Sequence, residues 1–444
     1  KSERRCARIN RKFRLLSRTT RKGNIHESSY QKMRDFITYV IGHTPSYDKI
    51  FDKTGIGPGA SIGVHGNATN FARKLLSNWS VTPLAFDYCY SAVMRHAQVR
   101  ACLLPAHGGF LSGRSDEKLI FREKVTLVEH NKISFVRKTT LTDRSIAVEP
   151  FLNGFVQKGV DEYMRERLMR IGINLSDQSL NQRMAREGSL NDSQDGFVTL
   201  DLSAASDSIA TEVCKHLLPP DWFYFLNRIR SRTFLLKSVS YTYEKFCSMG
   251  NGFCFPLETL LFTAAAHAVG AGKCGVDYHI YGDDIIIRKS HLEDLVELLT
   301  QLGFKVNTRK SFFEGPFRES CGADWFLGED VRPYTLDEPL NSVQSIFKFL
   351  NLTQRNDRTR AFFGPVRDYV LSWIPKQLRL FRPIVGNPDT GIDSTGDEHL
   401  STETCRWNKN LQCFEYLELS SSAIQDSLKG FSESEKRGPP LVYA

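Results

Sequence analysis

The chain has 444 residues, 41% hydrophobic and 25% charged, a length that exceeds one ordinary hydrophobic core and predicts two or three lobes. No run of about 18 apolar residues is available for a membrane-spanning helix, so no membrane partner is expected. Ten cysteines (Cys6, Cys89, Cys102, Cys214, Cys247, Cys254, Cys274, Cys321, Cys405, Cys413) are scattered without CxxC pairs or histidines at zinc spacing, which predicts reduced structural thiols in a cytosolic setting rather than a disulfide or zinc scaffold.

The formal net charge is +9, and residues 1–22 carry all of it: ten Lys or Arg against one Glu, with 49 charges of each sign over the rest. Such an arm either attracts phosphate backbones by counterion release or is a solvated tail. Lys1 stands where a Met would be expected and no signal-peptide pattern follows, so the start reads as trimmed or incomplete rather than secreted. On that reading the glycosylation match at Asn67–Thr69 means little.

From about 30 to 190, short apolar runs alternate with Gly-rich breaks (GIGPGASIG at 55–63, HGG at 107–109) and Lys/Arg clusters, a mixed α/β pattern of weak periodicity. FVTLDL at 197–202 then predicts a strand, and SAASDSIATEVCKHLL a helix with Ser206 or Asp207 as its cap. After the loop SMGNG, FPLETLLFTAAAHAVGAG (255–272) predicts a helix stopped by glycine. HIYGDDIIIRKS (279–290) predicts a hairpin turning at Gly282. In SHLEDLVELLTQLG, Ser290 and Glu293 match a capping box, and Leu292, Leu295, Val296, Leu299 and Leu302 form one apolar stripe. FKVN (304–307) is expected to close the block as a strand, giving a ferredoxin-like split βαβ plan. Residues 311–444 add a short β region and amphipathic helices near 340–355 and 363–374.

Several residues in this order can carry chemistry. Asp283 and Asp284 are flanked by isoleucines, where two carboxylates need neutralising; they are either turn residues or ligands for divalent metal. Asp201 ends the neighbouring strand and is either a capping acid or a third ligand, and two such metals would suit a two-metal reaction. Asp207 is a cap or a ribose partner. In the SMGNG loop, Ser248, Gly250 and Asn251 either approach a ligand closely or merely connect. Arg137, Lys138, Arg144 and Lys158 suit phosphate or a solvated face, and Lys310 is a proton donor or a surface lysine.

Taken together these stretches resemble viral RNA-dependent RNA polymerases. FVTLDLSAASDS is similar to motif A, SMGNGF to motif B, YGDD to motif C, LGFKVNTRKS to motif D and FRESCGADWF to motif E. With LSDQSLNQR and TDRSIAVEP added, residues from about 50 to 335 resemble the replicase catalytic subunit of the small positive-strand RNA bacteriophages, the leviviruses.

The resemblance implies an α/β (α+β) right-hand fold: a basic arm at 1–22, fingers at 23–190, a palm at 191–310, the motif E region at 311–335, and thumb with C-terminal region at 336–444. It implies that Asp201 and Asp283 hold two Mg2+ ions, or Mn2+ in their place, with Asp284 in support, and that Lys310 is the motif D lysine. Arg144, with Arg137, Lys138 and Lys158, would meet nucleotide phosphates. Ser248, Gly250 and Asn251, with Asp207, would read the base and the ribose, and Phe317, Arg318, Glu319, Ser320 and Cys321 would lie under the RNA 3′ end. RNA template and product, nucleoside triphosphates, the elongation factors Tu and Ts, and a small-subunit ribosomal protein are the implied partners, in the cytoplasm of an infected bacterium. A reverse transcriptase and a non-catalytic RNA-binding scaffold with the same palm are the alternative readings.

Overall fold

The computed structural model describes residues 1–18, 26–64, 70–103, 114–137, 143–336, 339–354, 357–383, 389–394 and 405–419. The chain divides into two compact units, Lys1–Glu329 and Asp330–Ala444. In the first unit, the elements that position the site are α1 (Ser2–Arg18), α2 (Glu27–Ile41), β1 (Asn131–Arg137), β2 (Asp143–Val148), α3 (Phe151–Met169), α4 (Ser179–Leu190), β3 (Phe197–Leu200) and α5 (Thr211–Leu217). They continue with β4 (Thr233–Leu236), β5 (Val239–Thr242), α6 (Cys254–Ala268), β6 (Tyr278–Tyr281), β7 (Asp284–Arg288), α7 (Leu292–Gln301), β8 (Phe317–Ser320) and β9 (Ala323–Phe326).

The central sheet has the order β3-β7-β6, both pairings antiparallel, with Leu200 opposite Ile285 and Tyr281 opposite Asp284. It is buried on both faces, which is why β7 reads as an unbroken isoleucine run rather than an alternating one. Val198, Leu200, Ile280, Ile285 and Ile287 join one core with Leu257, Leu260 and Leu261 of α6 and Leu295 and Leu299 of α7. On the other face Phe197 and Ile286 meet Met184 and Ala185 of α4.

A second sheet, β2-β1-β4-β5, joins residues 131–148 to 233–242, with β1 and β4 parallel. In the second unit, α8 (Val343–Leu352) and α9 (Asp357–Ser372) cover a small core around Phe347, Leu350, Val370 and Ile374. Cys6, Cys89, Cys102, Cys214, Cys247, Cys254, Cys274, Cys321 and Cys413 are free thiols.

Four expectations are corrected. The arm is not a tail: as far as Arg18 it is the helix α1, burying Cys6, Asn10 and Phe13, and residues 19–22 lie outside the described residues. Ser290 and Glu293 make no capping box, because a 3₁₀ turn at Lys289–His291 intervenes and α7 starts without a side-chain cap. Neither Ser206 nor Asp207 caps α5, which begins after Ala210; Asp207 sits in a 3₁₀ turn at Ser206–Ser208. FKVN is reduced to a single bridge, Val306 with Leu202, closed by the Asn307 N–H to Asp201 O and the Ser203 N–H to Lys305 O, because the chain turns directly after it, the Lys310 N–H donating to Asn307 O at 2.9 Å.

Candidate active site

The hairpin turn that carries the two acids is set by sterics. Gly282 takes a φ of +63° and a Cβ there would lie 2.2 Å from Cε2 of Phe255, so only glycine fits without displacing a core ring. Its N–H donates to Thr259 Oγ1 at 3.1 Å. Two residues of α6 thus hold the turn in place.

Asp201 leaves β3 one step beyond the Leu200–Ile285 pair, which brings it across from Asp284. Its N–H donates to Ser311 Oγ at 3.0 Å, and Asn307 Nδ2 donates to its Oδ2 at 2.6 Å. Burial pushes the Asp284 carboxyl up to about 6; the Cys321 N–H opposes this, while Asp283, Glu319 and Asp201 add to it by like-charge repulsion. That N–H donates to Asp284 Oδ1 at 3.3 Å from a residue held at φ +48°, and the Cys321 thiol lies 3.7 Å from Oδ2. Motif E is therefore fastened to the motif C hairpin through Cys321.

The donor set at this edge is all hard carboxylate oxygen, which suits Mg2+ or Mn2+. Among the described residues, no three His, Cys, Asp or Glu side chains form a ready metal cage. Mg2+ is ordinarily held through one or two carboxylates, its shell completed by water and substrate phosphate, so the open edge and this ion are compatible.

The SMGNG loop is wedged between two elements. Ala147 of β2 donates its N–H to Met249 O at 2.7 Å, and a Cβ on Gly250, at φ +108°, would lie 2.2 Å from Ala147 O. The Gly252 N–H donates to Gln157 Oε1 of α3 at 3.0 Å. Ser248 and Asn251 are buried, and among the described residues Asn251 Oδ1 has no hydrogen-bond donor. Asp207 pairs with Lys245 at 2.6 Å.

The basic candidates are dispersed. Arg137 and Arg144 are exposed at neighbouring positions of β1 and β2, with Arg137 3.8 Å from Asp143, and Lys138 lies outside the described residues. Lys158 pairs with Asp161 at 2.8 Å and Glu162 at 2.5 Å on its own helix. Lys310 is exposed in a turn, its N–H donating to Asn307 O at 2.9 Å.

In motif E, Arg318 is corrected from an RNA contact to a structural residue. It is 0% exposed and donates to the carbonyls of Phe197 at 2.7 Å, Gly315 at 2.7 Å and Phe317 at 2.8 Å. Ser320 is also buried, accepting from Asn181 Nδ2 at 3.1 Å. Phe317 and Glu319 are half-buried.

A family model for the RNA replicase beta-chain matches residues 1–411. The chain belongs to the RNA replicase beta-chain family. It is 43% identical over 260 residues to the RNA-directed RNA polymerase subunit beta of Escherichia virus Qbeta, covering 56% of this chain and 43% of that protein. It is 40% identical over 257 residues to the subunit beta of Enterobacteria phage SP, covering 56% and 44%, and 34% identical over 360 residues to the RNA-directed RNA polymerase beta chain of Enterobacteria phage fr, covering 78% and 60%. The chain thus spans about half the length of the curated relatives it matches. Among solved structures, the BmCPV RNA-dependent RNA polymerase at elongation state aligns at a TM-score of 0.43 and 11% identity, over 76% of this chain and 32% of that one, a likeness too loose to weigh.

Two buried acids of this replicase chain escape sequence reading. Glu258 of α6 is 5% exposed, with no donor for Oε2 among the described residues; burial, then the charges of Asp283, Cys247 and Asp207, raise its carboxyl well above the usual range. Its only signal in sequence is a lone acid inside an apolar helix. Glu149 accepts from Asn131 at 2.6 Å, Gln157 at 3.1 Å and Ser231 Oγ at 3.0 Å, tying the second sheet to α3. Burial raises its carboxyl too.

Proposed function

We propose that this chain carries the catalytic centre for template-directed RNA synthesis from nucleoside triphosphates, as part of the replication of a positive-strand RNA phage genome. The observation that carries the reading is the convergence of three acids on one sheet edge: Asp201 across from Asp284, with Asp283 in the turn between β6 and β7. The names of the relatives support the same reaction class.

In this reading Asp201 and Asp283 hold two divalent ions, Mg2+ or Mn2+, with Asp284 supporting them. Bound there, such ions would neutralise triphosphate charge and favour attack of a 3′-hydroxyl on the α-phosphate, with pyrophosphate leaving. Asn307 and Ser311 orient Asp201, and Cys321 orients Asp284. Gly250 and Asn251 line the nucleotide side with Ser248, and Asp207 faces the sugar. Arg144 and Arg137 draw the triphosphate by charge, joined by Lys138 and Lys158, and Lys310 is the proton donor to pyrophosphate. Phe317 and Glu319, with Cys321, underlie the RNA 3′ end; positioning and charge stabilisation do most of the work.

The proposed partners are RNA template and product, nucleoside triphosphates, elongation factors Tu and Ts and a small-subunit ribosomal protein, in the cytoplasm of a bacterial host. No described helix is long and apolar enough to cross a membrane. The test is incorporation of labelled NTPs on an RNA template with Mg2+, with and without primer. Template-dependent product supports the reading; dNTP incorporation in preference to NTPs, or RNA binding without synthesis, overturns it.

A further inference from the structure

The ion pair between Asp207 and Lys245 links two segments 38 residues apart, and its surroundings are unusual. Lys245 is buried, with its ammonium 2.6 Å from Asp207 Oδ1 and 5.2 Å from the centroid of the Tyr243 ring. Both signs surround it: Glu3 interacts with both Lys245 and Asp207, and Arg5 lies on Ser208. A buried cation paired at this distance fixes the position of its carboxylate.

Helix α1 holds both sides of this pair. On the Asp207 side, Arg5 donates to Ser208 Oγ at 3.3 Å and the Cys6 thiol to Asp207 O at 3.5 Å. On the Lys245 side, Glu3 Oε2 accepts the Glu244 N–H at 2.8 Å, and Asn10 Nδ2 donates to Glu244 O at 2.8 Å and Glu244 Oε2 at 2.7 Å. Asn10, 1% exposed, also accepts the Glu212 N–H at 2.9 Å, at the start of α5. A lysine and an asparagine are thus built into the framework of Asp207.

We propose that Lys245 is a positioning residue that fixes the Asp207 carboxylate toward the ribose of an incoming nucleotide, and that α1 is the brace that holds Lys245 there. This rests on the RNA-synthesis reading. Without the ammonium 2.6 Å away, the Asp207 carboxylate loses the partner that fixes it and swings from its place. Sugar recognition then weakens, while the acids that perform the chemistry stay put.

The test uses the full chain with Mg2+ and an RNA template, comparing Lys245→Met, Lys245→Gln, Lys245→Arg, Asn10→Ala and Asp207→Ala. Lys245→Met and Lys245→Gln should raise the KM for NTP about tenfold and lower the preference for NTP over 2′-dNTP by a similar factor, with a smaller change in kcat. Lys245→Arg should restore most of both, and Asn10→Ala should shift them the same way by about two- to threefold. Combined with Asp207→Ala, Lys245→Gln should add little, because the lysine acts through that carboxylate. Folded Lys245 variants with wild-type KM and sugar preference, or additive effects in the pair, overturn the proposal alone. A wild-type chain that incorporates no nucleotide overturns the RNA-synthesis reading, and this proposal with it.

Discussion

Two hairpins of the first unit have the same two-residue loop and opposite constructions. β6 and β7 turn at Gly282-Asp283 with only the glycine at positive φ, and β7 is sealed on both faces, Ile285, Ile286 and Ile287 each 0% exposed. β4 and β5 turn at Lys237-Ser238, two L-residues at φ +48° and +66°, and every residue of β5 is exposed. The outer turn thus keeps a mild local strain that its strand pairing and the stacking of Phe234 on Tyr241 offset. The inner one is dictated by its surroundings: Phe255 selects the glycine and Thr259 holds its N–H. Accuracy of placement here comes from packing, and it is spent where the acids sit.

Changes at the inner hairpin should accordingly cost function or fold, and changes at the outer one neither. The largest effect is expected for Asp283→Asn, which should reduce nucleotide incorporation about 10³-fold or more, with thermal stability and RNA binding near wild type. Wild-type activity in this variant would remove Asp283 from the ligand set. Arg318→Met should lower stability by about 3 kcal/mol in denaturant unfolding, since it strips the buried carbonyls of Phe197, Gly315 and Phe317 of their donor.

Gly282→Ala should cost about 2 kcal/mol and slow incorporation, because its methyl meets the Phe255 ring and its φ is unfavourable. Adding Phe255→Leu should recover part of that loss; no recovery would mean that the ring is not what selects glycine. At the outer hairpin, Ser238→Gly should raise stability by about 0.5 kcal/mol with unchanged incorporation, the relief of left-handed strain slightly exceeding the added entropy of the unfolded chain. A loss of activity there would show that the second sheet is not a bystander.

The parts legible in sequence were those fixed by local pattern. The isoleucine run of β7, the glycine between two strands, and the leucine stripe of α7 predict the hairpin, its turn and the next helix. Asp201 followed from the strand before it, since β3 and β7 had to be neighbours for the plan to close. What escaped depends on contacts distant in sequence. FKVN has strand composition, but its bridge, Val306 to Leu202, depends on a partner far back in the chain and ends at the turn after Asn307. Ser290 fits a capping pattern, yet its N–H donates to Gln194 O and the helix starts later. The motif E stretch is legible as a motif, but nothing in FRESCG distinguishes Arg318, whose partners are three carbonyls and Asp192, from an arginine facing RNA. In the arm, Cys6, Ile9, Asn10, Phe13 and Leu16 hold helical spacing, and the ten cations of residues 1–22 overlie that pattern.

The docking of α1 also sets an order of events during synthesis. Lys12 donates to Gln301 at 2.5 Å across 289 residues of chain, and at ribosomal speeds that interval takes roughly 15 to 60 s. Through that time Cys6 and Ile9 lack Asp207 and Gly303, and Phe13 has only Tyr30 of α2 to meet early, while the cations around them keep like helices apart by repulsion. The charge of this segment, whatever else it meets, is suited to keeping a nascent helix soluble until residues 201–301 exist to receive it.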